Sequence, residues 1–323
     1  MDEANFSVEE PSFIYQQAYH IQLDGLLITR MVIVLSTSLF FFYVNSIMFF
    51  TLRSKPVFRE TSRYILFANI VFSDSILLLS NTVIYSFAVA YLYVFKAVCA
   101  LVMLFCITTY TFSPLNLAVM SLERYVAICY PLHHAEITTQ KRTNITIGVV
   151  WFLASLNIVI DLFYTTVTKP HSFNAPTFCT RERLLIDKWQ LDLFHGLNGF
   201  YFVTVAVIII YTYIAIIVAA KSVSTDKDSA KKARNTVLLH LIQLGLCLTS
   251  FLYGVFERML STIDLTLYLN IRVLLFFVLI ILPRCLSPLI YGLRDDIFRP
   301  LFLSYFRCRY GNIKPAVILY FTK

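Results

Sequence analysis

Glu123, Arg124 and Tyr125 stand together at the end of a run, Ala97 to Leu122, that carries no charge. An acid beside an arginine at such a boundary can form a local ion pair that a later change of conformation opens. A second candidate for chemistry gathers residues far apart in the chain. Asp74 lies 11 residues after Arg63, Ser113 lies 11 before Arg124, and Arg284 lies 10 before Arg294. At helical rise these separations are about 15 to 16 Å, so an acid, a hydroxyl and a base reach one depth on three helices. A lone charge at membrane depth is costly, so an Asp74–Arg284 ion pair is expected, with Ser113 as an auxiliary hydrogen-bonding group. The alternative for Arg284 is a bond to backbone carbonyls released by Pro288. This is a charge pair and not an acid–base dyad, because no second carboxylate shares the depth. The sequence has no Gly-rich phosphate loop, H-E-x-x-H, C-x-x-C pair or nucleophile elbow, so no catalytic residue, cofactor or metal is expected. The neighbours His133 and His134 do not share a helix face, which argues against a metal there.

The elements that must carry these residues follow from composition. Of 323 residues, 58% are hydrophobic and 14% charged, and mean hydropathy is +0.71. A soluble domain of this size carries about 25% charged residues, so lipid is the expected solvent. Seven runs, Met31–Leu52, Tyr64–Phe95, Ala97–Leu122, Thr143–Thr166, Leu193–Ala220, Asn235–Phe256 and Val273–Leu293, are each long enough to cross a bilayer. The second is over-long and must include an outer turn. The predicted fold is an all-α membrane protein, a seven-transmembrane helix bundle with a short amphipathic C-terminal helix. Its expected parts are a tail over 1–27, the bundle over 28–293 and a cytoplasmic helix and tail over 294–323.

With the N-terminus outside, the cytoplasmic segments hold 18 Lys/Arg against 7 Asp/Glu, and the extracellular ones 8 against 10. Basic residues concentrated inside fix that orientation and leave the C-terminus in the cytoplasm. The net charge of +8 is thereby explained without nucleic acid. No basic flank precedes an early apolar core, so the first span is expected to be the anchor. Within the spans the charges are Asp74, Asp161 and Arg284. Cys99 and Cys179 both face an oxidising compartment, where a disulfide is chemically allowed. Asn5 opens a glycosylation sequon on the outer side. Asn144 opens another at a cytoplasmic position and is expected to be unused. Cys308 is a candidate for palmitoylation.

The longer string Glu123-Arg124-Tyr125-Val126-Ala127-Ile128-Cys129-Tyr130-Pro131-Leu132 resembles the end of the third helix in rhodopsin-like (class A) G-protein-coupled receptors. Its last six residues are similar to the odorant-receptor branch. Lys232-Ala233, Thr236, His240-Leu241 and Phe251-Leu252-Tyr253-Gly254 resemble that branch's sixth helix, and Trp151 matches the tryptophan usual in the fourth. Ser287-Pro288-Leu289-Ile290-Tyr291 resembles N-P-x-x-Y with Ser for Asn, and Tyr211-Thr212-Tyr213 has Thr where the branch has Ser. Other departures are the missing proline of the fifth helix and the single cysteine in the second outer loop.

The resemblance implies a receptor that binds a small organic, odorant-like ligand and activates a heterotrimeric G protein, of the stimulatory olfactory kind that raises cAMP. It implies a Cys99–Cys179 disulfide, and an activation switch made of Glu123, Arg124, Tyr125, Tyr213, His240, Pro288 and Tyr291. It implies a plasma-membrane location. The pocket is expected in the outer half, with Met103, Cys106 and Tyr110 on the third helix and Tyr201, Tyr253 and Phe256 on the fifth and sixth. Cys106 stands where aminergic receptors carry an aspartate, which argues against a protonated amine. In many class A receptors an aspartate matching Asp74 helps hold a sodium ion; here Arg284 would take the place of that ion. Alternatives are a non-olfactory orphan class A receptor and a secondary transporter, although no matched halves with broken helices are visible.

Overall fold

The computed structural model describes residues 25–90, 92–223 and 274–307, and, between 242 and 271, positions 242, 245, 246, 249, 253, 256, 259 and 271. Asn5, His240 and Cys308, and the side chains of Ser287 and Tyr291, lie outside the described residues.

Apolar runs without water around them must satisfy their backbone internally, and the helix does this within one segment. The chain accordingly forms α1 (Gly25–Ser54), a short α2 (Pro56–Glu60) and α3 (Ser62–Val89). It continues as α4 (Lys96–Cys129), α5 (His134–Ile137), α6 (Gln140–Thr168), α7 (Arg181–Leu184) and α8 (Lys188–Val223). After a π-helical stretch, Phe276–Ile281, come α9 (Leu282–Arg294) and α10 (Phe298–Phe306). Helices α1, α3, α4, α6 and α8 are each long and apolar enough to cross a membrane. Local signals set several ends: Pro56 occupies the first turn of α2, and the Thr139 side chain accepts from the Arg142 amide to cap α6.

Helix α4 is the axis of the bundle, packed against α3, α6 and α8. It runs seven residues past Leu122, so Glu123–Cys129 are helical and Tyr130 caps the end. The outer turn expected in the second run falls after Val89. Beyond it Tyr93–Phe95 forms a short strand, β1, antiparallel to β2 (Pro176–Phe178), with Tyr93 opposite Phe178. This small sheet carries the second outer loop back over α4.

The inner core is aromatic: Phe58, Phe67, Phe112, Met48 and Met120 are almost fully buried, and Trp151 stacks on Phe112 with centroids 4.1 Å apart. Sequence pattern alone suggests that α10 lies in the membrane interface. Its apolar face, Phe298, Leu301 and Phe302, joins this core. Asp295 fixes the entry to α10, its Oδ1 accepting the Ile297 and Phe298 amides at 3.0 and 2.9 Å. The same carboxylate pairs with Arg63 and accepts from the Tyr64 hydroxyl at 3.1 Å, so α3 and α10 are tied at the inner face. Where α9 crosses this junction it carries Gly292. A Cβ there would meet Met48 Cε at 2.6 Å and the Phe298 ring at 2.9 Å. Methionine yields readily but the wedged ring does not. Gly292→Ala is therefore expected to destabilise the purified receptor by about 1–3 kcal/mol, read as a lower melting temperature. An unchanged melting temperature would show that the junction is looser than described.

Candidate functional site

At mid-depth Arg284 of α9 meets Asp74 of α3, with Nη1 3.3 Å from Oδ1. Ser113 of α4 donates to the same oxygen at 2.9 Å and shares a 3.0 Å hydroxyl bond with Ser73. All are buried, with side-chain exposure of 3% for Arg284 and 1% for Asp74. Arg284 makes a further bond, from Nη2 to the Tyr110 carbonyl at 3.4 Å. Pro114 explains why that carbonyl is available. It sits inside α4 and has no N–H to return to the residue four positions earlier. The two alternatives for Arg284 thus coexist, although the proline that supplies the carbonyl is Pro114 of another helix and not Pro288. A sodium ion beside Asp74 does not fit this arrangement, because the guanidinium already neutralises and bonds that carboxylate.

At the inner end of α4, Arg124 Nε lies 3.4 Å from Glu123 Oε2. The other Glu123 oxygen is 3.3 Å from Nε2 of His134, at the start of α5. One largely buried carboxylate therefore serves both its neighbour and the second inner loop, a role for His134 that sequence reasoning missed. The Tyr125 ring faces Tyr130 and Tyr211, at 5.7 and 5.8 Å. Thr212, the residue standing where the branch has Ser, is fully buried and shares a hydroxyl bond with Ser121 of α4. Tyr213 is half-buried, and Pro288 lies within α9.

The outer half is closed by the second outer loop. Cys99 and Cys179 form a disulfide. Beside it Arg181 inserts between α6 and α8, donating from Nη2 to Asp161 Oδ2 at 2.9 Å and to Asn157 Oδ1 at 3.0 Å. Its guanidinium lies 3.3 Å from the centroid of the Phe194 ring. Gln190 completes the network: Nε2 donates to Asp161 Oδ1 at 3.3 Å, and Oε1 accepts the Ile186 amide at 2.8 Å. Asp161 announces itself in the sequence as an acid within a span. Its partner is one of several basic residues in the following loop, and nothing local distinguishes Arg181 among them.

The expected pocket residues disperse. Met103 is buried with Ile107, Ile158, Leu184 and the disulfide. Cys106 donates to Asn81 Oδ1 at 3.4 Å, and the Tyr110 ring lies 5.8 Å from the Arg284 guanidinium. Tyr253 meets Phe276 edge-on at 6.3 Å, and Phe276 stacks on Tyr85 at 5.9 Å, an aromatic column that pattern did not identify. Tyr201 turns instead to α6, its hydroxyl donating to the Leu153 carbonyl at 3.0 Å. Phe256 is exposed.

A helical bundle with an outer disulfide, a buried mid-depth charge cluster and an acid–arginine pair at the inner end of its central helix defines a class of membrane receptor. Residues 44–291 match the 7 transmembrane receptor (rhodopsin family) model, and the chain belongs to that family, a family of multi-pass receptors and not of enzymes. It is similar to odorant receptor 131-2 of Danio rerio, 35% identical over 258 residues that cover 79% of each chain. It is also similar to human olfactory receptors 52N2 and 2M5, at 26% and 29% identity over 55% of this chain. Those two matches span 57% and 58% of the human receptors.

Removing either member of the mid-depth pair strands the other charge in hydrocarbon. Asp74→Ala or Arg284→Ala is expected to cost about 3–5 kcal/mol and to deplete surface expression. The exchange Asp74→Arg with Arg284→Asp is expected to recover part of the loss, measured by surface labelling. Two single variants that express like the parent would refute the pairing.

Proposed function

We propose that this chain is an odorant-type receptor of the plasma membrane. Its N-terminus faces outward, a small organic ligand binds in the outer half, and a stimulatory heterotrimeric G protein that raises cAMP couples at the cytoplasmic face. The observation that carries this reading is the inner end of α4, where Glu123 holds Arg124 at 3.4 Å. Such a pair is a small electrostatic latch. Its opening presents a guanidinium to the cytoplasm, beside Tyr125, whose ring packs on the exposed rings of Tyr130 and Tyr211. A ligand bound above can open it only by binding the open state more tightly than the closed one. The rigid axis of α4 joins the two ends, with the Asp74–Arg284 cluster midway. The similarity to odorant receptors favours an odorant-like ligand, and Cys106 leaves no carboxylate at its position for an amine.

Arg124→Ala removes the group presented to the G protein without opening a hole in the core. Agonist-driven cAMP is expected to fall at least tenfold while surface expression stays near that of the parent. A cAMP response equal to the parent's would remove Arg124 from the mechanism.

A further inference from the structure

Three polar side chains in the outer half are at least nine-tenths buried and carry an atom with no hydrogen-bond partner among the described residues. They are Asn157 (4% exposed), Asn198 (9%) and Thr108 (8%), with Asn157 Nδ2, Asn198 Oδ1 and Thr108 Oγ1 unpartnered. Leaving such groups unmatched in a low-dielectric interior is costly, so they need a reason.

Their helices meet at one apolar cluster that includes Cys179 and Leu184 of the second outer loop. Asn157 Oδ1 is bonded to Arg181, whose guanidinium rests on the Phe194 ring. Asn198 Nδ2 donates to the Phe194 carbonyl at 2.8 Å, one turn earlier on α8. Thr108 follows Ile107 on α4, and Ile107, Ile158 and Phe194 pack in one apolar cluster. Helices α4, α6 and α8 thus carry these groups around one apolar cluster, with the Arg181–Asp161 pair bonded to Asn157 on one side.

The chemistry on offer is fixed by the bonds already made. Arginine can only donate, so the Asn157 atom facing Arg181 is its oxygen and the remaining atom is a donor. A backbone carbonyl can only accept, so the Asn198 atom facing Phe194 is its nitrogen and the remaining atom is an acceptor. Thr108 can serve either way. One spare donor and one spare acceptor flanking the same apolar cluster match one small group best, a hydroxyl, which accepts from Asn157 and donates to Asn198. A ketone or ether leaves Asn198 unmatched, a protonated amine leaves Asn157 unmatched, and a carboxylate sets acceptor against acceptor. The Arg181 charge offers an acid little, because Asp161 already pairs with it.

We infer that Asn157, Asn198 and Thr108 form a recognition site for the hydroxyl group of a neutral alcohol, whose carbon skeleton lies against the Ile107–Ile158–Phe194 cluster. This rests on the odorant-type reading above and names the ligand class of its outer site.

The test uses the full-length receptor in lipid nanodiscs and matched short aliphatic and benzylic skeletons, each as alcohol, methyl ether, ketone, amine and carboxylate. Ligand-induced shifts in melting temperature report binding without reference to signalling, and nucleotide exchange on an added stimulatory G protein reports signalling. Alcohols are expected to bind about tenfold tighter than their ethers, the discrimination of one buried hydrogen bond. Asn198→Leu and, independently, Thr108→Val should shrink that ratio; neither residue bonds the Asp161–Arg181 pair among the described residues. Equal binding of alcohol and ether, a preference that survives both substitutions, or no stabilisation by any member of the panel would overturn the inference. Alcohol-selective stabilisation without nucleotide exchange would uphold the site and overturn the signalling reading instead.

Discussion

A charge inside hydrocarbon must find its counter-charge within the protein, and this one constraint organises the molecule. Water cannot screen or solvate Asp74, Asp161 or Arg284, so each carboxylate recruits a guanidinium and each guanidinium takes up further acceptors. The Asp74–Arg284 pair joins α3 to α9, with Ser113 and the Tyr110 carbonyl bringing in α4. The Asp161–Arg181 pair brings a loop into the bundle between α6 and α8. Apolar packing alone would specify such contacts weakly, because lipid tails solvate Leu and Phe as well as a neighbouring helix does. Polar pairs supply the register that packing leaves open.

The two ends of the bundle are built differently as a consequence. The inner end is a dense aromatic core closed by α10, where Gly292 lets α9 approach Met48 and Phe298. The outer end depends on tethers: a disulfide, a two-stranded sheet and a buried ion pair all hold one loop over α4. A tethered roof leaves polar groups beneath it, whereas the packed floor leaves none of its aromatic rings loose among the described residues. Helix α4 takes part in both, and its one internal proline lies at the level where the charge cluster meets it.

Several features were legible before any coordinates. Unbroken apolar runs demand helices, because this follows from local composition. The position of Glu123-Arg124-Tyr125 at the end of an uncharged run marks a boundary for the same reason. Asp74 and Arg284 could be matched in depth because helical rise is constant, so counting residues measures distance across a bilayer. An amphipathic segment after Arg294 was equally visible, but which apolar surface it would cover was not.

What remained hidden depends on azimuth and on contacts between segments distant in sequence. Counting gives the depth of a residue and leaves open which neighbour it faces; hence Tyr201 could be placed on the fifth span, but its bond to Leu153 could not be read. The choice of Arg181 for Asp161, of His134 for Glu123 and of Asp295 for Arg63 needed loops and helix ends to be laid against one another. Pro114 was visible in the sequence, yet its released carbonyl acquired meaning only when Arg284 arrived from another helix. The sequence by itself determined the solvent, the spanning helices among the described residues and the common depth of Asp74 and Arg284, since these are properties of single segments in a bilayer. The tertiary structure alone decided the partners, because partner choice is set by how helices rotate and cross, and a linear pattern does not record that.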